Sequence, residues 1–361
     1  MRHHRRNGEV VPDDGADRPW NGRGKTIRNS SSWENGVGWN WRALRRRVLT
    51  PDVVECSLAR RGFHRKDAAA QENLETVGAM FLRGYAHAVE ARCAAEAHEL
   101  LEEVPAAFRG FAYEGAGMGA AVLDGLPFGG RDHVAEILGG PGDRHVYMIY
   151  VGIGWAMARL PRSRWPAVEG FDPLLRGLVL DGYGFHQAYF HTDRYVHRQY
   201  REAAFPWPAD ATRAHSHHAI DQGIGRALWF VGGTDVEVVA DLVGRFDADR
   251  HPDLWAGVGL ASTYAGGTGA DELTALRRHA GPHTAQLAQA SAFAAEARVR
   301  AGLLVPHTAV ATGVLCGTTP EAAARLTHDL RPEVPVNDDV PAYEVWRRDI
   351  VDRFVLGGVP T

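Results

Sequence analysis

One short pattern, Gly-x-Gly inside an apolar stretch, recurs five times along this chain of 361 residues and constrains its fold more than any other feature. The copies are EGAGMG (Gly115, Gly117), VGIGWA (Gly152, Gly154), DGYGFH (Gly182, Gly184), QGIGRA (Gly223, Gly225) and AGVGLA (Gly257, Gly259), about 30 to 40 residues apart. Within a helix each glycine is about 1 kcal/mol less favourable than alanine, so something must offset it. Two missing side chains on neighbouring parts of a helix surface let another helix axis come closer than the usual 8–10 Å. A phosphate-binding loop would instead need a strand before the glycines and a third glycine opening a helix. No copy has that context. The pattern predicts closely packed helices.

The surrounding sequence agrees. DAAAQENLETVGAMFLRGYAHAVEA spaces Leu74, Val77, Phe81, Tyr85 and Val89 at helical steps behind an N-cap at Asp67. Further helices are expected near 114–124, 131–139, 145–160, 172–191, 219–231, 235–246, 252–265, 270–279, 283–302, 306–316, 319–329 and 341–356. Gly, Pro and Asp break them. Strand-like alternation is almost absent, so the fold class is all-α. Longer blocks also match. The segment from Glu114 to Leu160 lines up with that from Gln222 to Ala265 at an offset of about 103 to 108 residues. The duplication predicts internally repeated helical hairpins forming a solenoid or closed α–α array, with approximate repeats at 113–212 and 219–305 and a partial one at 306–356.

Residues 68–361 thus read as one all-α repeat domain, and residues 1–67 as a mostly disordered or loosely docked tail, rich in Arg, Asn, Ser and Gly and carrying Trp33, Trp39 and Trp41. A functional arm touching a partner is the other reading of the tail. The amino terminus has no apolar stretch of the secretory kind. No run approaches the roughly 18 apolar residues of a membrane span. A net charge of -4 argues against a dedicated nucleic-acid binder. Cys56, Cys93 and Cys316 lie far apart, which suits reduced thiols in a cytoplasm. A homodimer is compatible with all of this.

If the glycines are scaffold, chemistry lies in what differs between copies. The residue before the first glycine is Glu114, Val151, Asp181, Gln222 (with Asp221 before it) or Ala256; the residue after the second is Met118, Trp155, Phe185, Arg226 or Leu260. Acids and an arginine in this register are costly to bury unless paired. Glu114, Asp181, Asp221 and Arg226 are therefore candidates for one shared polar cluster, either a structural ion pair or the lining of a pocket. His186 follows Gly184 on an apolar face and could act as a general acid/base with Asp181. His215, His217 and His218 could ligate a metal, but they sit in a Pro/Trp-rich linker where a solvated loop is expected, and no metal site is assigned. Asp338–Asp339 lacks the spacing of a diphosphate–magnesium motif and suits a helix N-cap before Pro341. No nucleophile motif is present.

Taken together, RGFAYEGAGMGAAVLDGL, YMIYVGIGWAMARLP, LDGYGFHQAYF, DQGIGRALWF and DLWAGVGLASTYAGG resemble the DUF1702 family in order from about Gly84 to Phe354. The family-like positions are Glu114, Asp181, Gly182, His186, Asp221, Gln222, Gly223, Arg226 and Trp229. The long Trp/Arg-rich amino terminus and the histidine-rich linker depart from the family pattern. The resemblance implies an actinobacterial protein of enediyne polyketide biosynthesis, acting on a hydrophobic polyene-like intermediate beside an iterative polyketide synthase. On that reading Trp155, Tyr183, Phe185, Gln222 and Trp229 would contact substrate. Glu114, Asp181, His186, Asp221 or Arg226 would move protons in a cofactor-independent isomerisation or cyclisation. A non-catalytic scaffold or chaperone for the synthase is the first alternative, and a noncanonical terpenoid cyclase is the second, although its D-x-D-D signature is missing.

Overall fold

The computed structural model describes residues 53–127, 132–167, 170–207, 215–333 and 340–357. The tryptophans and basic clusters of residues 1–52 and the Asp338–Asp339 pair lie outside these, as does the linker at 208–214. Among the described residues every regular element is helical and no strand occurs. None of the helices is long and apolar enough to cross a membrane.

The longer helices are α1 (Ala68–Glu90), α3 (Ala106–Asp124), α5 (Val146–Arg159), α6 (Arg176–Phe190), α7 (Ser216–Val231), α9 (His251–Tyr264) and α11 (Thr284–Ala301). Between and after them come α2 (Ala94–Glu102), α4 (His133–Leu138), α8 (Val236–Gly244), α10 (Ala270–Ala280), α12 (Pro306–Leu315), α13 (Pro320–Asp329) and α14 (Ala342–Val355). Most starts and stops follow the local chemistry. Asp67 caps α1 by accepting from the Ala70 amide, and Asp235 and Thr319 cap α8 and α13 in the same way. Each such cap contributes about 1 kcal/mol. Two expectations need correcting. Helix α3 begins at Ala106, ahead of 114, because Pro105 and two alanines open a further two turns. The histidine-rich stretch is no solvated loop: Ser216 to His218 form the first turn of α7, where Ser216 is buried and His218 pairs with Asp253 at 2.7 Å.

The glycine pairs set the packing, though not as neighbouring gaps on one surface. Residues two apart on a helix point about 200° away from each other, so the two glycines of a pair face different helices. A Cβ on Gly152 would lie 1.9 Å from the Glu114 carbonyl oxygen of the preceding helix α3, while one on Gly154 would lie 2.0 Å from the Val179 carbonyl of the following helix α6. The contacts are reciprocal: Gly117 meets the Ile149 carbonyl of α5, and Gly182 meets that of Val151. All five pairs obey the same rule, so each long helix from α3 to α9 lies backbone to backbone against its predecessor and its successor. Such approaches permit Cα–H···O contacts of about 0.5–1 kcal/mol each, which offsets the poor helix propensity of glycine. Any side chain there would drive two helices apart.

Residues 53–66 lie along this body. A 3-10 turn (Val53–Cys56) and a helical turn (Leu58–Arg61) bury Leu58 and Phe63. The Leu58 amide donates to Glu75 at 2.9 Å, and Lys66 pairs with Glu272 at 3.0 Å.

Candidate functional site

The packing rule has a consequence at the next position along each helix. The residues after the second glycines, Met118, Trp155, Phe185, Arg226 and Leu260, all line one cavity of about 420 Å³. Side chains four residues further on share that face, and accordingly Arg159, Tyr189, Phe230 and Tyr264 line the same cavity. Helix α1 contributes Phe81, and the 3-10 turn before it supplies Glu55 and Cys56. The lining is largely aromatic: Trp155 packs on Phe81 and Phe185 with ring centroids 4.3 and 5.0 Å apart. One end of the cavity reaches the surface at the exposed Arg159 and His191.

The buried carboxyl group of this cavity, among the described residues, is that of Glu114, 2% exposed on α3. Its Oε1 accepts from the Trp155 indole at 3.0 Å and lies 3.5 Å from the Arg226 guanidinium. Arg226 also donates to Asp181, which is fully buried and accepts from the Gln222 amide at 2.7 Å. Gln222 in turn donates to the Tyr343 hydroxyl of α14 at 2.8 Å. Two carboxyl groups thus share one guanidinium. Burial, opposed by Arg226 and reinforced by the nearby Asp181, pushes the Glu114 carboxyl up to about 7. The cluster is electrically neutral when Glu114 holds a proton. Near neutral pH this group can both give and take one.

His186 lines the cavity beside this cluster, edge-on to Trp155 with centroids 5.6 Å apart. Burial, then the charge of Arg159, pushes it down to about 3, so its imidazole is neutral. Its Nδ1 has no hydrogen-bond partner among the described residues. The expected pairing with Asp181 does not form, because Asp181 is taken by Gln222 and Arg226.

The remaining expected site residues are placed elsewhere. Asp221 is not in the shared cluster: Arg250 holds it through two nitrogens at 2.5 and 3.0 Å, and Arg201 adds a third contact at 2.7 Å. The cause is again the helical angle, since Asp221 lies five residues before Arg226 and so about 140° around α7. Tyr183, two residues before Phe185, faces away from the cavity and accepts from Gln187 at 2.9 Å. Trp229 is fully buried, its indole donating to the Gly266 carbonyl at 2.9 Å outside the cavity lining. Gln222 supports Asp181 and does not face the cavity.

Sequence reasoning passed over Arg159, Tyr189, Phe230 and Tyr264, although a step of four from Trp155, Phe185, Arg226 and Leu260 finds each of them. Tyr264 packs edge-on to Phe111 at 5.0 Å, bringing α9 against α3, and its hydroxyl has no partner among the described residues. Cys56 had no signal. It comes from the segment read as tail, and burial pushes its thiol up to about 11.

Residues 40–354 match the family described as a protein of unknown function, DUF1702. The chain belongs to that family. Searches of curated proteins and of solved structures gave no match.

Proposed function

We propose that this member of the DUF1702 family is an enzyme that binds a hydrophobic, polyene-like chain in the cavity and shifts its double bonds, or cyclises it, by proton transfer through Glu114. The observation that carries this reading is one carboxyl group, held near neutrality in its proton affinity, facing an aromatic-walled cavity of about 420 Å³. A general acid/base works best when its pKa lies near the working pH. Protonated Glu114 gives its solvent-exchangeable proton to one end of the conjugated system, and the carboxylate left behind takes an allylic proton from the other end. The proton count closes, and no oxidant or cofactor is consumed. Arg226 steadies the carboxylate while it is charged, and Trp155 fixes its orientation.

The finer fold reading belongs with this proposal: the helices from α1 to α9 form a closed array of repeats with the cavity on its axis. The Phe111–Tyr264 contact between α3 and α9 supports closure. An enediyne polyketide pathway supplies a substrate of the right shape, and on this reading the protein acts there, next to a polyketide synthase. A cavity that only sequesters such a chain is the second reading, favoured by the apolar walls alone. Deuterium separates the two. With a linear conjugated polyene in D₂O, the enzyme reading expects mass-spectrometric uptake of deuterium into the chain, abolished in Glu114→Gln. Uptake that persists in Glu114→Gln, or binding without any uptake in the wild type, overturns it.

A further inference from the structure

The mouth of the cavity holds a cation that no described residue neutralises. Arg159 ends α5, lines the cavity and is exposed, and it has no hydrogen bond or ion pair among the described residues. Two arginines that contact lining residues are engaged. Arg61 pairs with Glu55 at 3.0 Å and lies over the Phe190 ring at 4.2 Å, and Arg60 reaches the same carboxylate at 3.5 Å. His186 lines the same cavity and is 5% exposed, and its Nδ1 is buried with no hydrogen-bond partner among the described residues. A guanidinium with no partner among the described residues therefore stands at the entrance, on a cavity whose lining is largely aromatic and includes Glu114 and the neutral His186 ring.

We propose that the ligand is an amphipathic chain with a terminal carboxylate, which Arg159 holds at the mouth while the apolar chain runs past the His186 ring inward to Glu114. This deepens the proposed function and rests on the same cavity. One unpaired guanidinium matches a single negative charge and the bidentate geometry of a carboxylate. A diphosphate would leave most of its charge uncompensated at this rim. Anchoring the head also fixes which carbons of the chain reach Glu114, and so which double bonds can move.

A fluorescent conjugated tetraenoic acid (parinaric acid) and the alcohol of the same chain serve as probes, titrated against the full chain at pH 7.5. The wild type is expected to bind the acid about tenfold more tightly than the alcohol, the scale of one charge-assisted hydrogen-bonded contact. Arg159→Gln should erase that preference, so that acid and alcohol bind alike. Arg159→Lys, which keeps the charge and loses the fork, should retain part of it. Equal binding of acid and alcohol by the wild type, or a preference that survives Arg159→Gln, overturns the head-group assignment and leaves the cavity reading standing. Binding of neither probe overturns both. Arg159 is exposed at a helix end, so its variants should fold, which far-ultraviolet circular dichroism checks.

Discussion

Helix α7 carries a residue of each of two buried acidic clusters, and the two differ in charge balance. On one face Asp221 meets two guanidiniums, with Arg250 only 3% exposed and Arg201 partly exposed, and Asp221 lines no part of the large cavity. On the other face Arg226 alone serves both Asp181 and Glu114, and Glu114 opens onto about 420 Å³. The first cluster is saturated and reads as architecture. The second has a carboxyl too many, and low-dielectric burial resolves the excess with a proton. Buried acids in one chain can thus be sorted by counting the cations that face them and asking whether space adjoins.

The contrast can be broken by substitution. Asp221→Ala leaves Arg250 buried without its carboxylate and should destabilise the chain by about 3–5 kcal/mol, read from urea melts; a loss below about 1 kcal/mol would mean that the pair is not a structural lock. Gly223→Ala should destabilise by about 3 kcal/mol. The added Cβ would land 1.9 Å from the Asp181 carbonyl, pushing α6 and α7 apart beneath both clusters. A variant as stable as the wild type would show that the close approach is not required.

Glu114→Gln should act with a sign set by pH. The folded Glu114 carboxyl sits near 7 against an ordinary 4.5, so the folded state holds more protons than the unfolded one between those values. Its contribution to stability is therefore present at acid pH and lost as pH rises from about 4.5 through about 7. At pH 9 the Gln variant should be more stable than the wild type by up to about 3 kcal/mol, with little difference at pH 4. A difference independent of pH would place Glu114 with the saturated acids. The smallest effect is a control away from both clusters. Gly313 in α12 has nothing within 4 Å of an added Cβ, so Gly313→Ala should stabilise by up to about 1 kcal/mol in a thermal melt. Destabilisation there would contradict the reading that a helical glycine matters where an added Cβ would strike a neighbouring helix.

Much of this was legible in the sequence. Helical period and caps marked nearly every helix from Asp67 onward, because apolar faces and capping residues act locally. The glycine pairs announced close contacts, and the residues beside them named Glu114, Asp181, Trp155, Phe185 and Arg226 before any coordinates. What remained hidden was angular. Gly-x-Gly looks like one gap in a string of letters, yet the turn of the helix points its members at two different neighbours. The same geometry carried Asp221 and Tyr183 away from the cavity, and it brought in Arg159 and Tyr264, which no motif marked. Arg250, the partner of Asp221, comes from a 3-10 turn (Ala248–Arg250) 29 residues further on, a distance across which sequence pattern is silent.

The protonation of Glu114 is the centre of the account, and infrared difference spectroscopy reads it directly. Wild-type protein titrated from pH 5 to 9 should lose a protonated-carboxyl C=O band with a midpoint near 7, and that band should be missing from Glu114→Gln. A Glu114 carboxylate already ionised at pH 5, with no band to lose, would contradict the account.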